Sequence, residues 1–277
     1  MVSKRNIEMQ QPSAHDTRYG LRISGRRQLL LSYNSASVAP SANLRKHDRS
    51  MCGRYTLTIT PEMLRTLINF KVTPNLEPRF NIAPTQMAPV VRAVGDGRRR
   101  IDMLRWGLIP SWSRDMSVAS KLINARGETV AQKPSFRDAY QERRCLIPVD
   151  GFYEWRKEGD TKQPFRIGFR GGKPFVFAGL WESWTAPEDA ENAGEKIETY
   201  TIITTDANTK IAPIHHRMPV IVDPVDFDRW LTGTPAEAAN VIRAFPEDDM
   251  AFYRVSTRVN NVRNDDAECI VPSQKTA

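Results

Sequence analysis

Cysteine and histidine are the residue types this chain has least of, with three of the first and four of the second in 277 residues. Cys52, Cys145 and Cys269 are too few and too widely spaced for a disulfide framework, and no Cys-x-x-Cys pair is present to begin a zinc site. Only His215 and His216 lie beyond the first fifty residues, so a histidine-rich metal centre is not expected. Long apolar runs are missing as well. Runs such as Leu29-Leu30-Leu31 are short against the roughly 18 to 20 residues that a membrane-spanning helix needs. Neither Gly-x-Gly-x-x-Gly nor a phosphate loop occurs, which removes the usual signatures of a nucleotide cofactor. The expectation is a protein without cofactor or metal, working away from membranes in a reducing cytoplasm.

What the chain does have is a net charge of +8, and its distribution matters more than its size. Residues 1–50 hold nine Lys and Arg against three Asp and Glu, so most of the excess is there. The remainder carries 31 basic and 29 acidic side chains, and any nucleic-acid site in it must come from local clustering. Residues 1–50 show no sustained helical or strand period and read as a disordered extension. Their Arg-rich, acid-poor make-up is that of a transit peptide or of an upstream start preceding the true one, and the second is expected.

From Met51 the texture changes to short apolar strands, turns and a few signalled helices. Thr60-Pro61, Ser135 with Asp138, Asp223-Pro224 and Thr234-Pro235 each mark a helix start. Phe175–Leu180, Tyr200–Thr205, Val220–Val222 and Phe252–Val255 read as strands. The pattern is α+β with a strand-rich core, taken as one domain over 51–270 with a short tail at 271–277.

Met51-Cys52 has the form of an initiator methionine before a small residue, and removing the methionine would leave Cys52 with a free amine. That residue would join a thiol of pKa about 8.5 to an α-amine of pKa about 7.7–8.0. At neutral pH roughly a tenth of such an amine is unprotonated, against about one in a thousand for a lysine, so it forms Schiff bases readily. Glu154 stands among aromatics in Gly-Phe-Tyr-Glu-Trp, an environment that raises a carboxyl pKa by desolvation and suits a general acid and base. Taken alone, a Met-Cys pair is more often the start of a buried strand, and such a glutamate more often faces solvent.

A series of motifs changes that balance. Met51-Cys52-Gly53-Arg54-Tyr55, Arg79-Phe80-Asn81-Ile82-Ala83-Pro84-Thr85, Arg105-Trp106-Gly107-Leu108-Ile109-Pro110, Ile123-Asn124-Ala125-Arg126-Gly127-Glu128-Thr129, Gly151-Phe152-Tyr153-Glu154-Trp155 and Ile214-His215-His216-Arg217-Met218-Pro219 follow one another in order. In these stretches the chain resembles the SOS-response-associated peptidase family, the abasic-site processing proteins. The resemblance implies a barrel-like core flanked by short helices. It also implies that the N-terminal cysteine amine attacks the aldehyde of an abasic site in single-stranded DNA, and that the thiol then closes a thiazolidine ring.

By the same resemblance, Asn124 positions sugar and cysteine, Glu154 serves as general acid and base, and His215 handles protons at the sugar and in ring closure. Arg54, Arg126 and Arg217 are candidate phosphate contacts, and Asn81 and Pro84 would line the DNA channel. Trp106 and Trp112 are both candidates for stacking, with Trp106 favoured as packing and Trp112 as the exposed wedge. The implied partner is single-stranded DNA carrying abasic sites, bound by a monomer on the nucleoid; contact with the replication machinery is left open. The sequence departs from the family at His216, where an acidic residue is expected, and at Trp112, which stands alone where some members have two tryptophans. Two other readings compete: a cysteine peptidase using Cys52 and His215, and a non-covalent single-stranded DNA-binding module.

Overall fold

The computed structural model describes residues 52–69, 76–190 and 193–273. Residues 1–50 and the end of the tail, to which two of the sequence expectations apply, lie outside them. Twelve strands and four short α-helices are formed by the described residues. The strands are β1 (Tyr55–Leu57), β2 (Arg79–Ile82), β3 (Met87–Val94), β4 (Arg98–Trp106), β5 (Asn124–Arg126), β6 (Arg144–Val149), β7 (Gly151–Glu158), β8 (Thr161–Phe169), β9 (Phe175–Thr185), β10 (Lys196–Asp206), β11 (Arg217–Pro219) and β12 (Met250–Arg254). The helices are α1 (Pro61–Ile68), α2 (Arg137–Glu142), α3 (Phe227–Leu231) and α4 (Pro235–Ala239).

Strands β4, β3, β6, β9 and β10 pair in that order, and β10 pairs again with β4, so five strands close into a barrel. Closure removes free sheet edges. β5 and β11 attach to β10 outside the ring. A second sheet runs β12-β8-β7-β1-β2. This is the α+β, barrel-cored fold that the sequence led us to expect.

Strand alternation explains how one apolar segment serves two cores. On β9, Phe175 and Phe177 join the cluster built with Tyr55, Trp106, Phe152 and Tyr200, while Val176, Ala178 and Leu180 join a second cluster with Leu64, Ile68, Phe227 and Trp230. β6 divides in the same way, with Cys145, Ile147 and Val149 in the first cluster and Leu146 in the second. The first cluster draws on both sheets and therefore fixes the second sheet against the barrel.

Local signals account for the helices. Thr60 caps α1 by accepting from the Met63 amide at 3.3 Å, and Thr234 with Glu237 forms a full capping box on α4. Two expectations need correction. Ser135 does not open a helix: α2 starts at Arg137 after Phe136, which makes no side-chain cap. Val220–Val222 is not the strand; pairing with β10 falls on Arg217–Pro219, and Ile221 contributes a single bridge to Phe177. At Asp223-Pro224 the helical start is a 3-10 turn that runs into α3.

Candidate active site

The site forms where the chain entering β1 lies beside β7. Tyr55 pairs with Phe152, and the Tyr153 amide donates to the Arg54 carbonyl at 3.0 Å, which brings the residues before β1 alongside Glu154. The backbone nitrogen of Cys52 donates to Oε1 of Glu154 at 2.7 Å. From β5, Asn124 Nδ2 donates to the Cys52 carbonyl at 3.3 Å. Two segments far apart in sequence thus hold the two ends of one residue. Cys52 and Glu154 are 1% and 2% exposed, so their contact is made away from bulk water. Burial first, and the Glu154 charge second, push the Cys52 thiol well above its ordinary pKa.

A 460 Å³ cavity opens onto Glu154 and the residue after Cys52, and Gly53, Arg54, Pro84, Ile123, Glu154, Trp155, Lys162, His215 and Asn260 line it. His215 comes from the loop between β10 and β11, with its amide bonded to the Ile211 carbonyl. Its Nδ1 lies 3.1 Å from both the amide nitrogen and the carbonyl oxygen of Arg217. A neutral Nδ1 can accept from the first and a protonated one can donate to the second, so the ring is held in either proton state. Pro84 is followed by Thr85 at φ 74°, a left-handed conformation that a β-branched residue rarely adopts. The Thr85 amide is held there by the Trp106 carbonyl at 2.9 Å. Among the described residues no group of acidic, cysteine and histidine side chains could hold a metal ion.

Of the residues expected to meet DNA, Pro84 and Arg54 line the cavity, and Arg126 is exposed on β5 two positions from Asn124. Trp112 is 59% exposed in the loop after β4, as a wedge would require. That loop begins at Gly107, whose φ of 116° and whose position 2.7 Å from the Ala119 carbonyl, measured from an added Cβ, exclude a side chain.

Of the other three, Asn81 and Arg217 are corrected, and Trp106 takes the packing role favoured for it. Trp106 is fully buried; its ring lies against Tyr55 and Tyr200, and Nε1 donates to the Ile123 carbonyl, so it has no face for a base. Asn81 is also fully buried, and its amide is spent on the carbonyls of Val259, Asn261 and Asn264. Arg217 is 6% exposed and donates to Glu128, Asp206 and the Thr204 carbonyl, so its charge is already met within the protein. All three are engaged within the protein. Arg54 is divided in role, because its guanidinium also donates to Asn81 Oδ1 and to the carbonyls of Val259 and Asn260.

Sequence reasoning gave no role to Trp155, Lys162 or Asn260. Trp155 stood inside a quoted motif, next to the glutamate that drew attention. Lys162 and Asn260 carry no local signal and reach the cavity only through strand register and the path of the C-terminal segment.

The pattern of the family described as SOS response associated peptidase matches residues 51–262. The chain belongs to this family. A relative from Bacillus subtilis, "Abasic site processing protein YoqW", is 39% identical over 228 residues, covering 79% of this chain and 99% of the relative. "Abasic site processing protein HMCES" of Gallus gallus is 36% identical, covering 70% of this chain and 66% of that protein. Among solved structures, a Bacteroides thetaiotaomicron protein superposes with a TM-score of 0.69 at 26% identity, covering 80% of this chain and all of that one. A Bordetella bronchiseptica protein gives 0.65 at 26% identity, covering 74% of this chain and all of its own. The fold described above is thus shared with these solved structures. No helix among the described residues is long and apolar enough to cross a membrane.

Proposed function

We propose that this protein processes abasic sites in single-stranded DNA by joining them covalently to Cys52. The observation that carries the reading is the 2.7 Å contact between the Cys52 nitrogen and the buried Glu154 carboxylate, which with His215 lines a cavity. The names borne by the relatives supply the substrate class. The chemistry needs Cys52 to be N-terminal, and the family match beginning at Met51 supports processing at that point.

In the first step the Cys52 amine adds to the C1′ aldehyde of the ring-opened sugar. Glu154 takes the proton that the nitrogen releases and returns it to the departing hydroxyl, so that water leaves and an imine forms. In the second step the thiol adds to the imine carbon. Its proton ends on the ring nitrogen, a C–S bond forms, and the product is a five-membered thiazolidine. One C–N and one C–S bond are made and one water is lost overall. Closing the ring removes the imine that would acidify the C2′ proton and promote strand cleavage by β-elimination. On this reading His215, which lines the cavity, exchanges protons on the sugar side, and the bond from Asn124 to the Cys52 carbonyl keeps the amine in one orientation. Nothing base-paired could present C1′ to a buried nitrogen, which favours an unstacked, single-stranded substrate. On this reading the protein acts on the nucleoid in the cytoplasm, as a monomer.

The raised thiol pKa weighs against a peptidase in which Cys52 attacks first, since that mechanism needs a thiolate at neutral pH. Intact mass after incubation with an abasic oligonucleotide tests the proposal. The expected product is protein beginning at Cys52 plus DNA less one water. Active protein retaining Met1, or an adduct mapped to any other residue, would overturn it.

A further inference from the structure

The β7–β8 hairpin has two faces of different electrostatic character. On one, Glu158 is bonded by Arg156 and Arg254, and that face is internally compensated. On the other, the register sets Lys157 directly opposite Lys162. Both lysines are exposed, and among the described residues neither makes an ion pair. Like charges facing each other across a strand pair are destabilising, and an anion bound between them would offset that repulsion. Asp160, at the hairpin turn, is the other acidic residue nearby.

Strand alternation places Trp155 on the same face as Lys157. The indole is half-buried and lines the cavity together with Lys162. Its orientation is fixed from two sides. Nε1 donates to Asn260 Oδ1 at 2.8 Å, and the buried Tyr153 ring lies 6.5 Å away, centroid to centroid. A fixed aromatic face and Lys162 in the cavity wall, with Lys157 opposite Lys162 on the same hairpin face, match a ligand with both a π-face and a phosphate.

We propose that Trp155, Lys157 and Lys162 form a nucleotide subsite, in which a base neighbouring the abasic position stacks on Trp155 while its phosphate is met by the two lysines. The proposal rests on the reading of the cavity as a site for single-stranded DNA. It adds a recognition element on the hairpin side, apart from the loop that carries Trp112.

The test is fluorescence anisotropy across a salt series, using processed protein and an oligonucleotide with a tetrahydrofuran abasic analogue that cannot crosslink. The double variant Lys157→Gln/Lys162→Gln should lower the slope of log K against log salt by about 0.7, the value for one phosphate contact on a single strand. Trp155→Ala should weaken binding roughly 5- to 150-fold, and Trp155→Phe should keep most of the affinity. With oligonucleotides truncated to one flank, one truncation should make variants and parent equal. An unchanged slope in the lysine variant overturns the subsite, as does a loss of equal size on both truncations. Displacement of the DNA by polyglutamate of equal charge as effectively as by an oligonucleotide would also overturn it, in favour of an acidic peptide. If Trp155→Ala fails to fold, the lysine and phenylalanine variants decide. Because the analogue has no aldehyde, failure of crosslinking in the parent protein leaves this measurement standing, and normal crosslinking does not protect the subsite from failing here.

Discussion

Glu154→Gln separates the proposed chemistry from its rivals. Glutamine has nearly the same volume and can keep an oxygen where Oε1 now accepts from the Cys52 nitrogen at 2.7 Å. What it loses is the ability to take up and return a proton. General acid and base assistance is typically worth about 10² to 10⁴ in rate, so single-turnover crosslinking should slow by that factor, or about 2.7 to 5.4 kcal/mol of barrier. Affinity for an uncleavable abasic analogue and its salt slope should stay close to the parent's, because a carboxylate makes no attractive contact with phosphate.

The same change acts on the thiol in the opposite direction. Burial is the main cause of the raised Cys52 thiol pKa and the Glu154 charge is the second. Removing that negative charge stabilises the thiolate, so the thiol pKa falls and alkylation of Cys52 should begin at lower pH. If the amine attacks first, the variant has more thiolate and yet crosslinks more slowly. Were thiolate attack limiting, it would crosslink at the same rate or faster. The assay is therefore a pair of pH profiles, one for crosslinking and one for iodoacetamide labelling followed by mass spectrometry. Crosslinking at the parent rate would refute the role given to Glu154.

Three further outcomes follow from the same geometry. Cys52→Ser should form an imine that borohydride traps but no unreduced adduct that survives heating; a heat-stable adduct without reduction would exclude ring closure by the thiol. Arg126→Ala, exposed on β5, should lower the salt slope of single-stranded DNA binding by about 0.7 with little change in urea unfolding, and an unchanged slope would remove it from the phosphate contacts. Trp106→Ala should cost about 3 to 5 kcal/mol of stability in urea titrations, because a fully buried ring leaves a cavity; a stable variant defective only in DNA binding would contradict its placement in the core.

Much of the architecture was legible because its signals are local. Thr60-Pro61 and Thr234-Pro235 carry their caps within three residues, and the apolar runs at Phe175 and Tyr200 lie inside β9 and β10. Local signals failed where partners are distant. β9 and β10 run on through Glu182, Ser183, Lys196 and Glu198 because the two strands pair with each other there, which no propensity for those residues would suggest. Ser135 has the look of a cap, but the helix begins after Phe136, whose side chain is taken into the core beside Ala139 and Tyr140. The two residues expected to carry the chemistry, Cys52 and Glu154, are joined by a hydrogen bond across 102 positions, and the motifs that named them said nothing of that contact.

The corrected residues explain why a motif need not be a contact surface. Asn81 binds the carbonyls of Val259, Asn261 and Asn264, and the Asp265 carboxylate accepts from the amides of Phe80 and Asn81. Arg54 adds bonds to the carbonyls of Val259 and Asn260 from the other side. The C-terminal segment is thereby tied across β1 and β2, and Asn260, fixed within it, becomes a wall of the cavity and the anchor of Trp155. An asparagine suits this task because its amide offers two donors and an acceptor in one plane, and here the donors hold three carbonyls while the oxygen receives Arg54. Asn81 and Arg54 therefore hold in place the wall that Asn260 forms. Residues about 180 positions apart build one side of the site, which is why no reading of spacing along the chain could place Asn260 within it.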